Sequence, residues 1–379
     1  MSPRLTLILS AAVVFVALLG LQSQALMPAY DVTKGSGYVD SVILRGATGQ
    51  TFVVVSEVRR SRGYGEMVCL HISQLGSKTP GTSITFPGAL FYQDLVDTYP
   101  ADGGKIELIS PGEIVATMTD EKFFFMFVGT RLLLHNSTRG GFFGAKFIGI
   151  HELDTGRLRF TRLPGRSAAF AGFAADETGL YAVLYPSENS IKTARRKGSL
   201  VAADLVRLAF DGSVSARRRI YTSYPLGENR LPYYLMYSIQ MATVADNVVI
   251  LDPGGRIGRR LYPPTLYELD KRTLSVRRST SLQRKYPRVS AWTMFAGPRS
   301  LYVKSLNSNV AKVVEVDRQL HIIAEADVDD PVIGRADDFW TDGDTIMVIK
   351  FPERTVEDLF TPYAVRLSRW RPVARVKEG

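Results

Sequence analysis

The stretch Ile150-His151-Glu152-Leu153-Asp154-Thr155-Gly156-Arg157-Leu158-Arg159-Phe160 holds an alternating strand, a tight turn and an arginine-bearing strand. The same pattern recurs in residues 206–214, 266–274 and 313–320. Alternation of apolar and polar residues predicts half-buried strands, and Asp and Gly between two strands favour a tight turn. The repetition therefore predicts a chain built from several copies of one antiparallel unit.

A second mark of the repeat is a very apolar strand that follows a turn rich in Asp, Gly or Asn. Continuous apolar runs of this length suit strands that are covered on both faces. The loop after this strand varies in length, so the copies are unevenly spaced. The six apolar strands are Phe52–Val55, Phe123–Val128, Leu180–Leu184, Val248–Leu251, Leu301–Val303 and Ile346–Ile349.

In the geometry of this repeat, the chain from residue 38 to residue 379 resembles the six-bladed β-propeller superfamily. The resemblance concerns architecture only and carries no signature of a specific family. It implies an all-β ring of six four-stranded blades, in which residues 39–44 are the first inner strand and residues 372–376 the last outer strand. A seventh blade stays open, because residues 105–109 predict an extra strand. No long helical period survives the Gly and Pro residues, so no helix is predicted.

The N-terminus has the features of an export signal. Arg4 precedes an apolar run over residues 5–21, and Ser23 and Ala25 are small residues at the positions that a signal peptidase reads. The prediction is a signal peptide over 1–25, a leader over 26–37 and a single propeller domain over 38–379. The alternative is an uncleaved membrane anchor over 5–21, with the bulk of the chain outside the cytoplasm.

Export predicts a periplasmic or extracellular location. The chain contains one cysteine, Cys69, so no intrachain disulfide can form. Export without disulfides favours a bacterial envelope protein over a eukaryotic secreted one.

The net charge is +10 at pH 7, and the basic residues fall into two sets. One set lies on the outermost strands, as in residues 217–219, where charges protect an unpaired edge. The other lies in the loops between second and third strands of blades one, three and four, which emerge on one face of a propeller. This rim predicts an anionic ligand or a negatively charged partner, with plain solvated loops as the alternative. Its members are Arg59, Arg60, Arg62, Arg195, Arg196, Lys197, Arg256, Arg259 and Arg260.

Aromatic and acidic residues fall near the expected mouth of the channel, where they either fill the gaps between blades or form a site. They are Tyr237, Trp292, Trp340, Asp337 and Asp338. The four histidines form no His-x-x-x-His pair, and one cysteine cannot form a Cys-x-x-Cys pair. The sequence therefore predicts no metal site and no cofactor.

Two functions follow from these observations. The first is an exported bacterial-type β-propeller that acts, as a monomer, as a binding or scaffold module for a protein partner or an anionic envelope component, and not for nucleic acid. The alternative is a propeller hydrolase or lyase with an active site at the channel mouth. The lack of a recognisable catalytic cluster favours the first.

Overall fold

The structure is a computed structural model. It describes residues 39–45, 50–61, 65–74, 81–93, 106–134, 141–143, 145–162, 169–223, 239–257, 259–282, 292–296, 300–305, 311–328, 338–342, 345–349, 362–366 and 371–372. The predicted signal peptide and leader lie outside these residues.

The described residues form eight sheets. Six of them follow one another in series along the chain, and each of these six has one of the predicted apolar strands as its second strand. Strands are numbered in chain order. Sheet one contains β1 (Val39–Arg45), β2 (Thr51–Ser61), β3 (Gly65–Gln74) and β4 (Thr82–Pro87), and a 3-10 turn follows at Gly88–Phe91. Sheet two contains β6 (Glu113–Met118), β7 (Lys122–Val128), β10 (Phe147–Glu152) and β11 (Leu158–Arg162). Sheet three contains β12 (Phe170–Asp176), β13 (Gly179–Leu184), β14 (Val201–Leu208) and β15 (Val214–Thr222).

The remaining sheets repeat this order with fewer described residues. Sheet four contains β16 (Gln240–Val244), β17 (Asn247–Asp252), β20 (Thr265–Asp270) and β21 (Val276–Ser281). Sheet five contains β22 (Trp292–Ala296), β23 (Leu301–Ser305), β24 (Ala311–Val316) and β25 (Ile322–Val328). Sheet six contains β26 (Asp338–Asp342), β27 (Thr345–Ile349) and β28 (Pro362–Arg366).

Neighbouring sheets pack face to face, and this packing explains the apolar second strands. In β7, Phe123 and Phe125 join the core between sheets one and two, whereas Phe124 and Met126 join the core between sheets two and three. Alternate side chains of a strand point to opposite faces, so a strand between two sheets needs apolar residues at every position. Similar cores lie between sheets three and four and between sheets four and five.

The first strands of the sheets lie side by side around a ring. Contacts join β1 to β6, β6 to β12, β12 to β16 and β16 to β22, and β26 contacts β1. The last sheet thus returns to the first. The chain is an all-β protein with propeller architecture, as its repeat predicts. The number of blades, six with a seventh open, stays a prediction.

Two details of the sequence-based prediction need correction, and a third is confirmed. Strand β29 (Arg371–Pro372) pairs with β25 of sheet five, so it is not the outer strand of sheet six. The predicted extra strand near residue 105 is present as β5 (Ile106–Ser110), and it pairs with β8 (Thr130–Leu134). Strand β8 and its partner β9 (Gly141–Phe143) come from the chain between β7 and β10. Which edge a short strand joins depends on long-range packing that its own residues do not encode.

The second correction concerns helices. Residues 188–197 form an α-helix, α1 (Glu188–Lys197), where a loop was predicted. The helix spans under three turns, too short for the long helical period that the prediction required. Its local signals are a serine before the first turn and a glycine after the last.

The turns between third and fourth strands are closed by aspartate side chains. Each accepts a hydrogen bond from a backbone N–H one or two residues later, which is how Asp stabilises a turn. The donors and acceptors are Thr155 and Asp154, Ser213 and Asp211, Arg272 and Asp270, and Gln319 and Asp317, at 2.7 to 2.9 Å. These are the aspartates of the four repeats, so the recurring Asp is a turn residue.

Asp270 provides a test of this role at low pH. The backbone hydrogen bond from Thr273, with further bonds from Arg272 and Arg277, lowers the pKa of Asp270 from 3.8 to about 2. A depressed folded-state pKa means that the carboxylate stabilises the fold above pH 3.8 and that this contribution disappears as the pH falls through 2. The stability lost in Asp270→Asn, measured by urea unfolding, should therefore be largest above pH 4 and shrink towards pH 2. A loss that does not change with pH would contradict the assignment.

Gly149 provides a test of sheet packing. It lies directly opposite Phe125 in the β7–β10 pair, and an added Cβ would overlap the Phe125 ring. We expect Gly149→Ala to destabilise the fold by about 1–3 kcal/mol in urea unfolding, because the buried ring must shift. The same change in a Phe125→Leu background should cost less, since the smaller side chain leaves room. Equal costs in both backgrounds would show that the overlap is not the cause.

Candidate functional site

Helix α1 lies between the second and third strands of sheet three. The hydroxyl of Ser187 accepts a hydrogen bond from the backbone N–H of Ser190 at 3.3 Å and caps the first turn. Gly198 ends the helix in the left-handed conformation, at φ 61° and ψ 38°. Ile191 and Ala194, three positions apart, are both buried. The helix thus turns one narrow apolar face inward and presents its other positions to solvent.

The corresponding chain in sheet four is a small hairpin made of β18 (Gly255–Ile257) and β19 (Arg260–Tyr262). Arg256 lies opposite Leu261 in the register, and both side chains are exposed. Ile257 is buried, and Tyr262 on the same face of the hairpin is partly buried. The hairpin therefore has one inward and one outward face.

The helix and the hairpin are joined by their own apolar cluster. Ile191 and Ala194 pack with Val201 and Ile257, and Tyr262 lies against them. The Tyr262 hydroxyl donates a hydrogen bond to the carbonyl oxygen of Gly198 at 3.1 Å. We call residues 187–200 together with 253–263 the helix–hairpin unit.

A buried carboxylate anchors the start of the hairpin. Asp252, the last residue of β17, accepts hydrogen bonds from the backbone N–H groups of Ser223 at 2.9 Å and Gly254 at 3.1 Å, and from the Ser223 hydroxyl. It thereby ties the chain leaving sheet three to the chain entering the hairpin. No neighbouring residue in the sequence signals this long-range role.

Six basic residues of the predicted rim come together on this unit, and all six side chains are exposed. Within the described part of the chain, none of them forms an ion pair or a side-chain hydrogen bond. We call this group the basic surface; its members are Arg195, Arg196, Lys197, Arg256, Arg259 and Arg260. The whole unit contains seven basic residues and one acidic residue.

The arginines of the outer strands differ sharply from the basic surface. Several of them pair with carboxylates on the adjacent third strand, as cross-strand neighbours of opposite charge do. The pairs are Arg159 with Glu152 at 3.0 Å, Arg217 with Asp204 at 2.5 Å, Arg278 with Glu268 at 3.9 Å, and Arg277 with Asp270. These outer-strand arginines are therefore partly neutralised by the fold itself.

Arg59 of the predicted rim also has a carboxylate partner. Its guanidinium pairs with Glu57, whose side chain is 2% exposed. The Nε2 atom of His71 lies 3.0 Å from Glu57, and its Nδ1 atom lies 2.9 Å from the Ser83 hydroxyl. Arg59 thus belongs to a hydrogen-bonded chain on sheet one. The neighbouring Arg60 lies in β2 with its side chain outside the description, and Arg62 lies outside the described residues.

The channel-mouth candidates are described only in part. Trp292 begins β22, and Asp338 and Trp340 lie in β26, so three of the five belong to first strands. Trp292 pairs with Ser305 and Asp338 with Ile349, which end the second strands of their sheets. The backbones of Trp292 and Asp338 therefore lie at the edge of their sheets that corresponds to the edge of sheets three and four from which the helix–hairpin unit extends. The side chains of these three residues, and all of Tyr237 and Asp337, lie outside the description.

Neither a metal site nor a membrane-spanning helix is found where the structure describes the chain. No three His, Cys, Asp or Glu side chains of the described residues are grouped to hold a metal ion. The helices within those residues lack the length and apolar character that crossing a bilayer requires.

No protein-family model and no curated protein matches the chain. Among solved structures it is similar to the Cps50 (Swd1) β-propeller domain of Myceliophteria thermophila, with 10% identity, 92% of this chain and 87% of that chain covered, and a TM-score of 0.43. It is also similar to the PQQ-bound aldose sugar dehydrogenase of Streptomyces coelicolor, with 11% identity, coverage of 89% and 96%, and a TM-score of 0.36. A Synechocystis apocarotenoid oxygenase mutant shares 10% identity, with coverage of 78% and 63% and a TM-score of 0.36. At these identities and scores the similarities carry no functional argument.

The apolar cluster of the helix–hairpin unit can be tested by proteolysis. Ile191→Ala should loosen α1 by about 2 kcal/mol, because a buried side chain is truncated. Trypsin cleavage after Arg195, Arg196 and Lys197 should then accelerate by about 30-fold, while the six sheets stay folded. The control is Thr193→Ala, an exposed position on the same helix. Equal cleavage rates in the two variants would show that the cluster does not hold the helix.

Proposed function

We propose that this chain is an exported binding or scaffold propeller that engages a protein partner or an anionic envelope component through the basic surface. One observation carries the proposal. Six exposed basic side chains stand on two elements that a shared apolar cluster holds together, and none has a carboxylate partner among the described residues.

The electrostatic argument is one of contrast within the same molecule. Outer-strand arginines are paired with third-strand carboxylates, so much of their field is cancelled close to the surface. The basic surface has no such partners among the residues that the structure describes, and its like charges repel one another. An anionic partner would relieve that repulsion and would be steered towards the surface by its field.

The chemistry of the arginine side chain narrows the class of partner. Five of the six residues are arginines, and they lie in two short segments. They are Arg195, Arg196, Arg256, Arg259 and Arg260. The guanidinium group donates two parallel hydrogen bonds to carboxylate or phosphate groups. Both chemistries occur on envelope components and on acidic proteins. Nucleic acid does not fit a chain whose predicted location is periplasmic or extracellular.

The remaining parts of the proposal come from the sequence. A signal peptide over residues 1–25 would release the chain, and an anchor over 5–21 would retain it at the membrane. The hydrolase or lyase alternative stays a prediction, because the channel-mouth side chains on which it depends lie outside the description.

Matched triple substitutions test the proposal. Arg195→Ser/Arg196→Ser/Lys197→Ser removes three charges from the basic surface, and Arg217→Ser/Arg218→Ser/Arg219→Ser removes three from the outer strand of sheet three. At low salt, the first variant should lose affinity for dextran sulfate, a soluble polyanion, by roughly tenfold or more, and the second should lose much less. The difference should vanish at high salt. Equal losses in the two variants would mean that only net charge matters and would refute the proposal.

A further inference from the structure

We propose that the partner of the basic surface is an anionic phospholipid bilayer, and that the hairpin enters its headgroup region with Leu261. This inference rests on the proposed function, because it identifies the partner of the same surface. The observation behind it is an apolar side chain, 58% exposed, that lies beside Arg256 on the outer face of the hairpin.

The geometry of the hairpin holds Leu261 outward. Leu261 lies opposite Arg256, and these two residues form the outer face. The other face carries Ile257 and Tyr262, which pack against α1, and Arg260, which is the register partner of Ile257. Because side chains alternate along a strand, Leu261 cannot turn inward without moving Tyr262 out of the cluster.

The hairpin is also braced at both ends. Asp252 holds its first residues through the N–H group of Gly254, and the Tyr262 hydroxyl bonds the carbonyl oxygen of Gly198. A braced hairpin cannot collapse to cover its own exposed leucine. A single exposed leucine is ordinary on a protein surface. Leu261 differs from such a residue because it shares the outer face of the hairpin with Arg256, so an apolar and a cationic side chain lie side by side there.

This pairing favours a bilayer over a soluble polyanion. Cationic side chains are attracted to anionic headgroups, and an apolar side chain gains additional stability by entering the boundary between headgroups and acyl chains. A soluble polyanion would use the arginines and would leave Leu261 in water. The unit follows the second strands of sheets three and four, so its basic residues lie at the same edge of both sheets.

The experiment uses the chain from residue 26 onward, which is the product of the predicted signal cleavage. Co-sedimentation is measured with vesicles of pure phosphatidylcholine and with vesicles of equal parts phosphatidylcholine and phosphatidylglycerol. We expect binding to the second and little binding to the first. Arg256→Ser/Arg259→Ser/Arg260→Ser should reduce the partition coefficient by about 100-fold, at about fivefold for each charge.

Leu261→Asn is the decisive variant. It should reduce the partition coefficient by about tenfold, because the burial of one apolar side chain is lost. The control is Val276→Asn, since Val276 is 50% exposed on the outer strand of the same sheet four and should leave binding unchanged. Both positions are exposed, so we expect both variants to keep the wild-type stability, and urea unfolding is the measurement that checks this.

The outcomes separate the two proposals. Binding to dextran sulfate without binding to phosphatidylglycerol vesicles would overturn the bilayer inference and leave the proposed function standing. If Leu261→Asn binds the vesicles as strongly as the wild type does, the contact is only electrostatic attraction to the headgroups. That result would overturn the inference that Leu261 enters the bilayer. If the Arg195, Arg196 and Lys197 substitutions leave dextran sulfate binding intact, the proposed function itself fails.

Discussion

Face-to-face packing of a sheet against two neighbours, seen for sheets two, three and four, is the constraint on which the rest of this structure depends. It requires a second strand that is apolar on both faces, and β7 meets this requirement with side chains that are almost entirely buried from Phe123 to Val128. The rings of Phe86 and Phe125 stack at 5.5 Å across the interface between sheets one and two. Gly149 leaves space for the Phe125 ring where a larger residue would collide with it.

Because the faces of the sheets are used for packing, residues for binding must lie at strand ends or outer edges. The outer edges are largely occupied by ion pairs such as Arg217 with Asp204, which protect the edge and cancel charge. The strand ends therefore remain available for residues that bind a partner. There the helix–hairpin unit builds a second, smaller core from Ile191, Ala194 and Ile257. That core gives a protruding segment a defined shape and holds its basic side chains, and Leu261, in fixed relative positions.

Much of the scaffold could be predicted from the sequence, and the reason is local. All six apolar strands predicted from composition are second strands of sheets, since burial on both faces leaves a direct mark on residues 123–128 and their counterparts. The repeated Asp is a turn residue that accepts hydrogen bonds from backbone N–H groups one to four positions later in the chain. The short helix was missed because its apolar face is reduced to Ile191 and Ala194, although Ser187 and Gly198 mark its two ends.

By itself, then, the sequence determined the repeat, the strands and the turns, because these depend on side chains close together along the chain. Only the tertiary structure decided which arginines have carboxylate partners. Arg59 and Arg217 resemble Arg195 and Arg256 in the sequence, yet Arg59 pairs with Glu57 on the same strand and Arg217 pairs with Asp204 on the neighbouring strand. It also decided that segments about 60 residues apart, around Ala194 and Ile257, form one unit. Such pairings depend on how sheets stack, and no short stretch of sequence records them.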